Sequence, residues 1–77
     1  MGNLNEAVAQ FNLALDLKPE FAEAANNLGV TFEKMGDLTQ AKLFFEKSTQ
    51  LNQGNADYHN NLAGVLRELG ELELAKM

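Results

Sequence analysis

The chain has 77 residues, no cysteine, one histidine and a formal net charge of −5, which limits it to one small domain with no disulfide, thiolate-metal or His-rich metal support. Its acids are scattered and its bases few, which argues against the clustered Lys and Arg that nucleic-acid binding requires. No apolar run approaches the roughly 20 residues of a membrane span, no signal peptide is visible, and the composition carries no signal of compartment beyond that of a soluble, folded helical protein, for which the cytoplasm is the default.

In chain order, Leu4, Ala7, Val8, Phe11, Ala14 and Leu15 fall at i, i+3, i+4 spacing, which predicts an amphipathic helix. "NLNE" at 3–6 offers a capping box at its start. The helix should end near Lys18, because Pro19 disfavours helical geometry in the residue before it, and Pro19 then suits the first turn of a second helix. That second helix carries Phe21, Ala24, Ala25, Leu28, Phe32 and Met35 on one stripe and stops at Gly36. Asp37 with Gln40 caps a third helix, which buries Leu38, Ala41, Phe44, Phe45 and Leu51. The turn "NQGN" at 52–55 leads into a fourth along Tyr58, His59, Leu62, Leu66 and Leu69. Gly70 is expected to end it, and "ELELAKM" to begin a fifth that spans about two turns.

The elements repeat. Gly2, Gly36 and Gly70 are 34 apart, as are Leu4, Leu38 and Leu72, and Ala7, Ala41 and Ala75; Phe11 recurs as Phe45 and Asn26-Asn27-Leu28 as Asn60-Asn61-Leu62. Sliding the chain by 34 pairs 43 residues, of which 14 are identical, several times what chance would give. A period of this length indicates a helical solenoid. Gly29 with Ala63, and Ala7 with Ala41 and Ala75, are small positions where helices can approach closely.

This alternation of small and large residues resembles the tetratricopeptide repeat. In the unit 22–55, Leu28, Gly29, Phe32, Gly36, Ala41 and Phe45 match the family pattern, while Ala25, Ser48 and Gln53 stand where Trp, Ala and Pro are usual. Pro19 matches that last position in the preceding unit, and His59 holds the Trp position in the following one. The resemblance implies an all-α, right-handed superhelical array of antiparallel helix pairs, about two and a quarter repeats. Residues 1–21 would be the second helix of a partial repeat, 22–55 a complete repeat, and 56–77 a partial repeat with a truncated second helix. Neither end has a dedicated polar cap of the kind terminal repeats need, so the expectation is a piece of a longer superhelix or, alternatively, association between open ends.

The asparagine pairs carry the functional expectation. With Leu28 at the centre of the buried face, Glu23, Asn26, Asn27, Val30, Glu33 and Lys34 fall on the opposite half of the second helix. The equivalent stripe of the fourth is Asp57, Asn60, Asn61, Gly64, Arg67 and Glu68. Asn is a poor helix former, and Lys or Glu would suit a merely solvated face better, so the repeated pair favours a role. The family resemblance implies that this side lines a concave groove where extended peptides bind. The pattern is similar to the asparagine ladder of O-linked N-acetylglucosamine transferase superhelices, which implies that Asn27 and Asn61 hold a polypeptide backbone. Asn26, Asn60, Glu23, Val30, Lys34, Asp57 and Arg67 would contribute around them.

The family's other groove chemistry, a carboxylate clamp built on Lys, Asn and Arg, is unsupported, because Glu23, Asp57, Asn60 and Val30 occupy such positions. Glu23, Glu33, Asp57 and Glu68 disfavour acidic peptides, so a neutral to mildly basic extended segment is the expected partner. His59 has no catalytic constellation and is read as packing; the glycines form no phosphate-binding motif, and Gly64 is read as making room in the groove. No general acid, base, nucleophile, metal site or cofactor is assigned. The expectation is a non-catalytic protein-interaction scaffold, with a substrate-presenting arm of a larger glycosyltransferase and a self-assembling segment as rivals.

Overall fold

The computed structural model describes residues 3–76, which form four helices: α1 (Leu4–Leu17), α2 (Ala22–Lys34), α3 (Leu38–Leu51) and α4 (Ala56–Lys76). They pack in sequence as antiparallel pairs, α1 on α2, α2 on α3 and α3 on α4, with α2–α3 the most extensive contact. Three helix starts are capped by the residues their sequences offer. Asn3 Oδ1 accepts from the Glu6 N–H and Asp37 Oδ1 from the Gln40 N–H, each at 3.2 Å, and Asn55 Oδ1 accepts from the Tyr58 N–H at 3.1 Å. Each satisfies a backbone donor that the first helical turn would otherwise leave open, a contribution of about 1 kcal/mol.

The α2–α3 hairpin turns on Gly36, whose φ of +83° lies in the region that side chains avoid. The Asp37 N–H donates to the Phe32 carbonyl at 2.9 Å and the Gly36 N–H to the Glu33 carbonyl at 3.0 Å, closing the end of α2 in a Schellman arrangement. Between α1 and α2 the chain turns differently from expectation. Pro19 does not enter α2; it sits in a turn closed by the Phe21 N–H on the Lys18 carbonyl at 3.0 Å. There its fixed φ suits the second position of the turn. Phe21 consequently becomes the N-cap of α2 and is partly exposed, with the Lys18 ammonium 5.6 Å from its ring centre.

Two buried clusters hold the helices together. Leu15, Ala24, Ala25 and Leu28 join α1 to α2, flanked by Val8, Phe11 and Ala14; Ala41, Phe45 and Val65 join α3 to α4, flanked by Val30, Leu38 and Leu62. Phe32 borders both clusters and stacks on Phe44 with ring centres 5.6 Å apart. The Phe45 ring lies directly over Gly29: a Cβ there would be 2.5 Å from Phe45 Cε1. The predicted small position is thus a real close approach. Ser48, where the resemblance implies Ala, is fully buried and satisfies its hydroxyl by donating to the Phe45 carbonyl at 2.8 Å.

The fourth helix departs most from expectation. It does not stop at Gly70, and among the described residues no fifth helix begins; α4 runs 21 residues without interruption to Lys76. Gly36 turns because α3 folds back and buries its apolar stripe on α2. Residues 71–76 all remain exposed, Leu72 at 50% and Leu74 at 71%, so little packing gain offsets breaking the helix, and continuing it keeps the backbone groups around Gly70 paired. The buried residue of α4 is Val65, whereas Leu66 is 45% exposed, because α4 presents its Val65 side to α3. Met35 and Leu51, expected in the core, lie at helix ends and remain partly exposed.

Candidate functional site

The expected groove residues lie on α2 and α4, and the structure separates them into groups. Where α2 and α4 meet, the Asn61 side-chain amide Nδ2–H donates to Asn26 Oδ1 at 3.0 Å. Both residues are half-buried. This single bond fixes which way each amide faces. The bond leaves the Asn61 Oδ1 acceptor and the Asn26 Nδ2 donors without a protein hydrogen-bond partner among the described residues. An amide supplies one carbonyl acceptor and two N–H donors, so the linked pair offers one group of each kind side by side.

Asn27 is placed elsewhere. Its side chain lines a cleft of about 340 Å³ between α1 and α2, with Gln10, Phe11, Ala14, Phe21, Glu23 and Ala24. Its backbone carbonyl accepts from the Thr31 hydroxyl at 2.8 Å. Asn60, Asp57, Lys34 and Arg67 are exposed, and Glu23 is exposed at the rim of the cleft. The two asparagines expected to act as equivalents therefore have different surroundings: Asn61 meets α2, and Asn27 faces the open cleft.

Val30 is a correction. It was expected on the groove face, but it packs against the Ala41–Phe45–Val65 cluster. α4 covers that side of α2, which a single-helix projection cannot show. Gly64 has no atom within 4 Å of where its Cβ would be, so no neighbour requires its absence. His59 is exposed and not packed; its Nε2–H donates to the Gln53 carbonyl at 2.7 Å and ties α4 to the turn before it.

A second contact between α2 and α4 pairs Glu33 with Glu68. Burial of half-buried Glu33 raises its carboxyl above the ordinary value of 4.5, and the neighbouring Glu68 adds to this through a hydrogen bond and then through its charge. Glu68 also lines a cleft of about 290 Å³ with Leu38, Glu71 and Leu72, which exists because α4 continues straight past the start of α3. The sequence placed Glu33 and Glu68 on equivalent faces but gave no sign that they oppose each other, since 33 and 68 are not a multiple of the repeat apart.

Two family models match the chain: one described as TPR repeat over residues 1–36, and one described as Tetratricopeptide repeat over residues 22–55. Residues 1–55 are tetratricopeptide repeats. The four sequential antiparallel helices, with Phe45 seated on Gly29, are the arrangement expected of about two such repeats. Tetratricopeptide repeat domains generally mediate protein–protein interactions. A search of curated proteins found no significant match. Among the described residues, no helix is long and apolar enough to cross a membrane, and no three potential metal-ligating side chains cluster.

Proposed function

We propose that this tetratricopeptide segment is a non-catalytic scaffold that holds an extended polypeptide across the junction of α2 and α4. Residues 22–55 would be the complete unit, and 1–21 and 56–77 the partial ones. The observation that carries the reading is the Asn61–Asn26 hydrogen bond. Its free acceptor and donors complement the N–H and C=O that an extended backbone presents, whatever the side chains. Asn27, at the cleft between α1 and α2, would extend the track, with Asn60, Glu23, Asp57, Lys34 and Arg67 as outer contacts.

The Glu33–Glu68 pair and the exposed Glu23 and Asp57 make the track acidic, so the favoured partner is neutral to mildly basic. The asparagine arrangement is similar to that of O-linked N-acetylglucosamine transferase superhelices, and a substrate-presenting arm of a larger glycosyltransferase is the enzyme setting it would suit. The test is titration of a labelled, end-blocked Ser/Thr/Val peptide bearing one Lys against the chain and against the double variant Asn27→Ala, Asn61→Ala. Roughly tenfold or greater loss of affinity at unchanged helicity supports the track, two lost amide contacts each being worth about 0.5–1.5 kcal/mol. Unchanged affinity removes it.

A further inference from the structure

α2 and α4 both run antiparallel to α3 and therefore parallel to each other. Their contact is the slightest of the helix–helix contacts, and it keeps one register. Asn26 meets Asn61, Val30 packs on the cluster that contains Val65, and Glu33 meets Glu68. In each case the α4 residue lies 35 positions after its α2 counterpart. Steps of four and then three residues keep all three positions on one face of each helix. The seam is thus a ladder with an amide rung, an apolar rung and a carboxyl rung.

Two of these rungs hold whatever the pH. The Asn61 amide donates to Asn26 at 3.0 Å, and Val65 is fully buried. The third is different in kind. Two carboxylates repel, whereas a protonated carboxyl donates to the oxygen of its neighbour. Glu33 is half-buried and Glu68 exposed, so Glu33 cannot carry its charge fully into water and relief comes from the α4 side. The charged groups on the adjoining turns are Lys34 of α2, Arg67 and Glu71 of α4, Asp37 and Lys42 at the start of α3, and Glu6 at the start of α1. None of the cations offsets the pair: the Glu33 carboxyl is raised by burial first, then by the hydrogen bond with Glu68 and by the Glu68 charge.

We propose that the Glu33–Glu68 rung is a proton-operated clasp, closing α2 on α4 when the two carboxyl groups share one proton and parting them when both are charged. The pivot is Val65, which lies one turn before Glu68 on α4 and is buried with Ala41 and Phe45 of α3. Acid closes the clasp and neutral pH opens it. The angle between α2 and α4, and with it the spacing of the side chains that the two helices display, then follows pH. The clasp needs no bound polypeptide, so it stands apart from the peptide-binding reading.

The chain has no cysteine, so introduced pairs take spin labels at the chosen sites alone. Met35→Cys with Leu72→Cys, both at exposed positions, reports the carboxyl end of the seam. Ala22→Cys with Ala56→Cys, at the first residues of α2 and α4, reports the amide end. The test reads both distances by double electron–electron resonance at pH 4.5 and pH 7. Labelled chain is diluted with unlabelled chain, because the isoelectric point of about 4.6 favours contacts between molecules in acid. At pH 7 the carboxyl-end distance should be longer by roughly 1–2 Å, the scale of helix shifts at interfaces, while the amide-end distance holds. Glu33→Gln and Glu68→Gln, in which an amide N–H replaces the shared proton, should keep the short distance at both pH values with unchanged helicity. A carboxyl-end distance that ignores pH in the parent, as when Glu68 only swings into water, would overturn the proposal. So would lengthening of both distances together, or a pH response that both Gln variants retain.

Discussion

Asn61 donates to Asn26 at 3.0 Å across 35 positions of sequence, one more than the repeat. The extra residue joins the second asparagine of one pair to the first of the other, so the two members of a pair do not share one role. The roles are unequal, since Asn61 gives the proton and Asn26 receives it.

The inequality predicts opposite responses to the same chemical change. Asn26→Asp keeps the acceptor and makes the bond charge-assisted, so stability should be held or slightly raised. Asn61→Asp removes the donor and sets two oxygens face to face, which should cost about 1–3 kcal/mol. Urea denaturation of the two variants checks this; equal destabilisation would mean that the bond does not order the pair.

Gly29 and Gly64 should answer Gly→Ala with opposite signs. At Gly64 the added methyl meets nothing within 4 Å, and the helix gains up to about 1 kcal/mol. At Gly29 the methyl runs into the Phe45 ring, which is fully buried and cannot move aside. The overpacking cost of about 1–3 kcal/mol then exceeds the propensity gain. Thermal melts by circular dichroism distinguish the two outcomes.

A second pair of glycines tests the uninterrupted α4. Gly36 holds a φ of +83° and should lose about 1 kcal/mol or more on conversion to Ala, whereas Gly70 lies within α4 with open space around it. Gly70→Ala should stabilise the chain by about 0.5–1 kcal/mol and leave helical content unchanged or higher. Destabilisation at Gly70 comparable to that at Gly36 would reveal a turn there.

Glu33 makes the fold sensitive to acid in an uncommon direction. Its carboxyl is raised in the folded chain, so the native state binds more protons than the unfolded one between the ordinary value of 4.5 and the raised folded value. Its contribution is therefore fully present below 4.5 and is lost as pH rises through the folded value. Glu33→Gln should be more stable than the parent at neutral pH, with the advantage shrinking as pH falls through that window. A pH series of urea midpoints for both proteins reads this directly, and an advantage that persists unchanged at low pH would argue against the paired carboxylates.

The sequence by itself determined the helical class, the 34-residue repeat, the caps at Asn3 and Asp37 and the close approach at Gly29, because each depends on local periodicity or on one residue type at a repeated position. Tertiary structure decided the rest. Val30, expected on the groove face, is half-buried against the Ala41–Phe45–Val65 cluster because a single-helix projection does not show which neighbour lies beside it. Gly70 was read as an end by analogy with Gly36, yet a glycine turns a helix only when the following segment has a surface to bury against. The Asn61–Asn26 and Glu33–Glu68 pairs were hidden for the same reason: periodicity places side chains around their own helix, and only the packing of one helix beside another sets which of them meet.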